Sequence, residues 1–286
     1  MMKLWYSASE HAILDHSYVT PAQASTSCKL ATYADTLFCV FLEQDTHCVQ
    51  YISKTADTAW TAPVDVVERL PARGTPSVFV FNERLHVVFN AAQGSSVSIR
   101  ATYDDTSHDF PTQRLGVPFR STPSFVQFKA KLHMFYLLED SDSIGYRSSP
   151  DAVQWSRPAL VKHVNGIGAV SHVNPAAVVY QGLIHVVYKA LDGKFYLTRF
   201  DGDRAWTRSR VFIPVDYGHS PGVVVHNGLL HLLFADNAGA ATHDLYHYCY
   251  DGNALSPVTL SSNLAATQSI GMGVLAGKLH AVYCGV

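Results

Sequence analysis

The sequence predicts an all-β chain: a six-bladed β-propeller with four antiparallel strands per blade, closed by pairing of its N- and C-terminal strands. Three observations predict it. A Leu-His pair recurs at Leu85-His86, Leu132-His133, Ile184-His185, Leu230-His231 and Leu279-His280, with Leu37-Phe38 as a degenerate first copy; the steps are 48, 47, 52, 46 and 49 residues. Nine residues before the four central anchors stands a proline (Pro76, Pro123, Pro175, Pro221), and Cys28 and Ile270 take that place in the outer copies. Four residues after each anchor is an aromatic: Phe41, Phe89, Tyr136, Tyr188, Phe234 and Tyr283. A fixed period of this length is the mark of a repeat architecture.

Each copy reads as strands. Ser77–Phe81 leads into a two-residue turn at Asn82-Glu83, and Leu85–Phe89 runs back. The equivalent turns are Ala34-Asp35, Lys129-Ala130, Gln181-Gly182, Asn227-Gly228 and Ala276-Gly277. Asn-Gly is a strong hairpin signal because both turn residues need positive φ. A third strand such as Lys194–Thr198 turns at Asp201-Gly202, as at Asp251-Gly252 in the next copy. A fourth, outer strand starts near Trp60, Phe110, Trp155 or Trp206. The C-terminus supplies two strands, about 269–275 and 279–284; the N-terminus begins with what should be strands three and four, near 3–7 and 11–16. Residues 1–20 and 265–286 are therefore expected to share one blade of a single domain spanning 1–286. Such a clasp removes exposed sheet edges.

The bulk numbers narrow the function. An apolar fraction of 48 % and a charged fraction of 15 % fit a folded chain with a large core. A net charge of −2 excludes a general nucleic-acid or anionic-membrane binder, which needs a basic face. Residues 1–14 lack an apolar run of signal length and include Glu10 and His11, so a soluble protein without a signal peptide is expected. No stretch approaches 18 uninterrupted apolar residues. The five cysteines (Cys28, Cys39, Cys48, Cys249, Cys284) contain no CxxC pair and read as buried reduced thiols, with a Cys39–Cys48 bridge as the alternative.

The repeat histidines are expected to be sandwiched between blades, hydrogen-bonded to backbone of the next blade. Spread around a ring, those five cannot share one metal ion; no metal or cofactor is expected. Trp60, Trp155 and Trp206 either pin blade to blade or offer flat faces to a sugar ring. Arg147 beside Tyr146, and Arg199 near Tyr196, occupy third strands of adjacent copies, where a guanidinium can fork onto vicinal hydroxyls or simply face solvent. Ser27, Thr75, Thr122, Asn174, Ser220 and Ser269 precede the proline position and should ring one mouth of a central channel, with Arg73, Arg120, His172 and His219 just upstream.

The run Asn174-Pro175-Ala176-Ala177-Val178-Val179-Tyr180-Gln181-Gly182-Leu183-Ile184-His185, continuing to Asp201-Gly202-Asp203-Arg204-Ala205-Trp206-Thr207, resembles the β-propeller lectins of fungal fruiting bodies and entomopathogenic bacteria, which bind fucose and related sugars. The resemblance covers essentially the whole chain. It implies six blades and sugar sites between them. Of the Arg, Glu and Trp that recur in the six-bladed fucose lectins, Arg and Trp recur here in part and a matching Glu does not. Ser149-Pro150-Asp151-Ala152-Val153-Gln154-Trp155 also resembles the Asp-box turn of sialidases, with Ala152 where that turn has glycine. That family implies three arginines on a carboxylate, an acid and an activated tyrosine; Arg73, Arg120 and Tyr217 are the nearest counterparts. Glycoside hydrolysis needs two placed carboxylates, which the inner-strand positions do not supply. The expected function is a non-catalytic, multivalent lectin with repeated shallow sites between blades, its partners glycans or glycoproteins, its self-association open. The alternatives are a sialidase-like or other glycoside hydrolase with its site at the channel mouth, and a protein-interaction scaffold.

Overall fold

The computed structural model describes residues 2–7, 15–20, 24, 27–92, 97–163, 166, 168–207, 210–213, 217–235, 245–261 and 269–284, with backbone alone at 2–7, 15–20, 210–212 and 259–261. The fold is an all-β propeller of antiparallel sheets. Among the described residues, six four-stranded sheets form. The N-terminal strands β1 (Met2–Ser7) and β2 (Asp15–Thr20) come first. Sheet one holds β3 (Lys29–Tyr33), β4 (Thr36–Leu42), β5 (Val49–Lys54) and β6 (Val64–Asp65). Sheet two holds β7 (Ala72–Phe81), β8 (Arg84–Ala91), β9 (Ser98–Thr102) and β10 (Thr112–Arg114). Sheet three holds β11 (Ser124–Phe128), β12 (Lys131–Leu137), β13 (Ile144–Ser149) and β14 (Ala159–Leu160). Sheet four holds β15 (Ala176–Tyr180), β16 (Leu183–Lys189), β17 (Phe195–Phe200) and β18 (Arg210–Ile213). Sheet five holds β19 (Gly222–His226), β20 (Leu229–Ala235), β21 (Leu245–Tyr250) and β22 (Leu255–Ser261). Sheet six combines β23 (Gly271–Leu275) and β24 (Lys278–Cys284) with β1 and β2. There Lys3 pairs with Tyr283 and Ser7 with Leu279. The outer strand of this sheet starts at Asp15, later than the 11–16 expected; residues 11–14 lie outside the described set.

The inner strands meet in succession: β3 on β7, β7 on β11, β11 on β15, β15 on β19, β19 on β23, and β23 on β3. Their approach is close enough to need glycine. A Cβ at Gly271 would stand 2.9 Å from the Cys28 carbonyl oxygen, and one at Gly222 would stand 2.8 Å from that of Ile270. A cavity of about 170 Å³ lies among these strands, bordered by Lys29, Ser77, Thr122, Asn174, Ser220 and Gly271. The short polar residues there bridge neighbouring sheets: Thr122 Oγ1 donates to the Thr75 carbonyl at 2.7 Å, Ser220 Oγ to that of Asn174 at 2.5 Å, and Ser77 Oγ to that of Pro123.

The anchors Leu37, Leu85, Leu132, Ile184, Leu230 and Leu279 and their six following aromatics are all buried. Each is worth about 1.5–3 kcal/mol of transfer free energy. The inner hairpin turns have both residues at positive φ, including the non-glycine pairs Ala34-Asp35, Asn82-Glu83 and Lys129-Ala130. All five cysteines are free and buried, so Cys39 and Cys48 are not bridged. Among the described residues no helix is long and apolar enough to cross a membrane.

The repeat histidines are buried as expected, and His86 and His231 bond within their own hairpin. His86 Nε2 faces the Phe81 carbonyl at 3.3 Å and His231 Nε2 that of His226 at 3.3 Å. Five residues of separation across a two-residue turn put the imidazole against the last carbonyl of the inner strand. Desolvation pushes His86 and His280 down to about 4.

Candidate functional site

The clefts between successive sheets share one plan. One wall carries the inner hairpin of a sheet; the other carries the loop between the third and fourth strands of the next. Polar contacts cross three further clefts, from hairpin to loop in the last two of them and between other strands in the first. Between sheets two and three, the Asn82 amide donates to Gln127 Oε1 at 3.0 Å and Arg100 Nη1 to the Ala152 carbonyl at 2.6 Å. Between sheets three and four, Lys129 and Lys131 pair with Asp203 at 3.1 and 3.6 Å. Between sheets four and five, Gln181 Nε2 donates to the Asp251 carbonyl at 2.9 Å.

The cleft between sheets one and two is also bridged, by Tyr33 and Asp105, but beside that bridge it keeps a cavity of about 470 Å³. Its apolar floor is Tyr33, Phe38 and Tyr103; the Phe38 and Tyr103 rings meet edge-on at 5.5 Å, and Tyr33 and Tyr103 at 6.3 Å. Its rim carries Lys54, Thr55, Thr58, Asp105 and His108. Tyr33 OH donates to Asp105 Oδ2 at 2.7 Å, which raises the Tyr33 pKa and keeps that phenol a donor. Tyr103 OH lies 2.7 Å from His108 Nδ1.

Local sequence shapes this cleft. In the third and fourth copies the repeat histidine fills the equivalent place: His133 packs edge-on to Phe200, and His185 to Tyr250. In the first copy the residue is Phe38, which covers the floor without a polar head. The facing loop is also longer. Thr102, paired with His86, precedes its aromatic Phe110 by eight residues; Ser148 precedes Trp155, and Arg199 precedes Trp206, by seven. The extra residue is absorbed by His108 at φ 59°. The loop is held by Asp104, whose carboxylate accepts the Thr106 and Ser107 amides at 2.8 and 3.2 Å and is thereby held below the usual carboxylate range. The same turn recurs at Asp151, Asp201 and Asp251. At Asp151 the missing glycine of the Asp-box-like segment is met by Ala152 at φ 58°.

The residues singled out by sequence fall elsewhere. Trp60 packs with Cys28, Cys39 and Phe41, on the far side of sheet one from the cleft its neighbours Ala59 and Thr61 border. Trp155 packs with Phe125. Both indole Nε1 atoms are buried without a hydrogen-bond partner. Trp206 stacks on Phe200 at 4.3 Å and meets Tyr146 edge-on at 5.4 Å. Arg147 donates to Tyr136 OH at 3.1 Å and to the Ser156 carbonyl at 3.2 Å. Arg199 is half-buried, and Tyr196 OH donates to Asp192 at 3.0 Å. Arg73 and Arg120 do come together, on a cavity of about 240 Å³ that Glu139 also borders. Arg73 donates to the Ala92 carbonyl at 2.8 Å; Arg120 pairs with Asp142 at 2.8 Å, which also faces His172 at 3.3 Å. The sequence reading missed Tyr33, Phe38, Tyr103, Asp105 and His108. The degenerate Leu37-Phe38 copy and the lengthened loop were the signals for them.

No family model matches this chain, and no curated protein matches it. Among solved structures it is similar to a mutant of the Aleuria aurantia lectin in complex with Fucα1-6GlcNAc, with a TM-score of 0.63 and 11 % identity over 93 % of this chain and 90 % of that one. It is similar to AofleA from Arthrobotrys oligospora, with a TM-score of 0.63 and 9 % identity over 95 % and 80 %. A β-xylosidase, RS223, matches with a TM-score of 0.56 and 13 % identity over 85 % and 98 %. Likenesses at this identity show the propeller fold, which carries both binding proteins and enzymes.

Proposed function

We propose that this protein is a glycan-binding lectin whose principal site is the cleft between sheets one and two. The carrying observation is that cavity's composition: tyrosine and phenylalanine faces on the floor, with the fixed acceptor Asp105 and several donors on the rim. A sugar presents one apolar face and an edge of hydroxyls, and such a cleft meets both. Its volume lies in the range of roughly 300–1,000 Å³ usual for small-molecule sites. The structural similarity to fucose-complexed lectins supports testing fucosylated glycans first.

The six sheets form, in this reading, a six-bladed ring that presents unequal clefts. One site of this kind has a Kd on the order of 1 mM to 1 μM; avidity then comes from weaker sites in other clefts or from self-association. The test is a glycan array on the purified chain, followed by titration of the best ligand into Asp105→Asn. Binding reduced about tenfold or more supports the cleft. Unchanged binding, with loss instead on Arg199→Ala, moves the site to the repeated third-strand arginines. Hydrolysis of a fluorogenic glycoside, lost on Arg120→Ala, would favour an enzyme acting from the Arg73–Arg120 cavity.

A further inference from the structure

We propose that His231, His247 and Cys249 form a metal site for a borderline-soft divalent ion, zinc first, set in the face of sheet five that packs on sheet six. The three residues converge through strand pairing. His231 on β20 stands opposite Cys249 on β21, and His247, two residues earlier on β21, shares the face of Cys249. His231 Nδ1 lies 3.0 Å from His247 Nε2 and 3.3 Å from Cys249 Sγ, and the last two are 3.9 Å apart. Those separations place the three donor atoms on a circle of radius about 2.0 Å, so an ion slightly off their plane meets Zn–N and Zn–S lengths of about 2.0–2.3 Å.

The surroundings suit ligation. The Nε2 of His231 faces the His226 carbonyl at 3.3 Å. Donation there leaves the lone pair on Nδ1, aimed at the other two donors. An outer carbonyl that fixes tautomer and ring orientation is the usual support of a ligating histidine. All three side chains are buried. Around them Leu233 and Leu245 pack with Met272, Leu279 and Tyr283 of sheet six. Two imidazoles and a thiolate select zinc or its soft neighbours over magnesium and calcium.

The set is not a product of the repeat. At the place of Cys249 the preceding sheets have Thr102, Ser148 and Arg199; at that of His247 they have Arg100, Tyr146 and Leu197. Only the fifth copy combines three ligands. An ion there joins β20 to β21 and binds the folded chain alone, so it raises stability by mass action.

The test uses the full chain stripped with chelator, then titrated with Zn²⁺ and separately with Co²⁺. One equivalent should bind with a micromolar or tighter Kd, Zn²⁺ should raise Tm, and the Co²⁺ form should show thiolate-to-cobalt charge-transfer absorption. His247→Asn and Cys249→Ser should each lose that binding, while Cys284→Ser keeps it. Absence of stoichiometric binding, a cobalt spectrum without the thiolate band, or binding that survives both variants overturns the site. Should either variant fail to fold, alkylation of the wild-type chain decides. Zn²⁺ that shields Cys249 from alkylation supports the site, and no shielding overturns it.

Discussion

The cleft between sheets one and two and the cleft between sheets three and four are built on one register, yet their walls meet through different groups. In the second cleft His133 is buried against Phe200, Trp206 stacks on that same Phe200, and Lys129 and Lys131 reach across to Asp203. In the first cleft Phe38 replaces the histidine, Tyr33 and Tyr103 line the floor, and the facing loop is one residue longer. Repetition therefore fixes where a site can sit, not how many sites there are. His133 and His185 spend their clefts on packing against the next sheet; Phe38 lies beside a cavity instead.

The largest effect should come with pH. His86 and His280 are held neutral by burial, with values of about 4 in the folded chain against about 6.5 in the unfolded chain. A base with a depressed folded pKa stabilises fully above about pH 6.5 and loses that contribution as pH falls towards 4. Each shift corresponds to about 3 kcal/mol. Thermal unfolding should show Tm falling steeply from pH 6.5 to 4, and His86→Asn should make the fall shallower. A Tm flat across that window contradicts the buried neutral state.

Trp206→Ala should cost about 3 kcal/mol in denaturant unfolding, because it removes the ring that seals the second cleft against Phe200. Glycan affinity should be unchanged when measured on the folded fraction. A loss of binding without a loss of stability would make that indole a sugar platform instead.

The smallest expected effect is at Lys129. Its pair with Asp203 is half-exposed on both sides, and such pairs contribute about 0–1 kcal/mol. Lys129→Ala should shift the unfolding midpoint slightly and create no new binding, since Phe200 and Trp206 still fill the cleft. New glycan binding in that variant would show that the ion pair alone keeps the second cleft shut.

Much of the fold was legible because it rests on periodic, local signals. The Leu-His anchor gave the second strand, and the six turn dipeptides gave the hairpins. The split terminal sheet followed from the two strands missing at each end. The site was less legible because it arises from departures from the period. Trp60, Trp155 and Trp206 drew notice as large and recurrent, yet recurrence here marks packing between sheets. Tyr180 and Tyr250 stand at the places of Tyr33 and Tyr103 in other copies, so these tyrosines read as part of the repeat; Asp105 and Tyr33, 72 residues apart in sequence, meet at 2.7 Å only once the two sheets pack. His247 was likewise invisible beside the repeat histidines, since its place across from Leu233 appears only once β20 and β21 are paired.

One paired titration decides whether glycan binds in the cleft between sheets one and two. Calorimetric titration of the best array ligand into Tyr103→Ala and into Arg73→Ala, both checked for native Tm, compares that cleft with the Arg73–Arg120 cavity. Tyr103→Ala should lose at least tenfold in affinity, about 1.4 kcal/mol, and Arg73→Ala none. Full affinity in Tyr103→Ala together with loss in Arg73→Ala would contradict binding in that cleft.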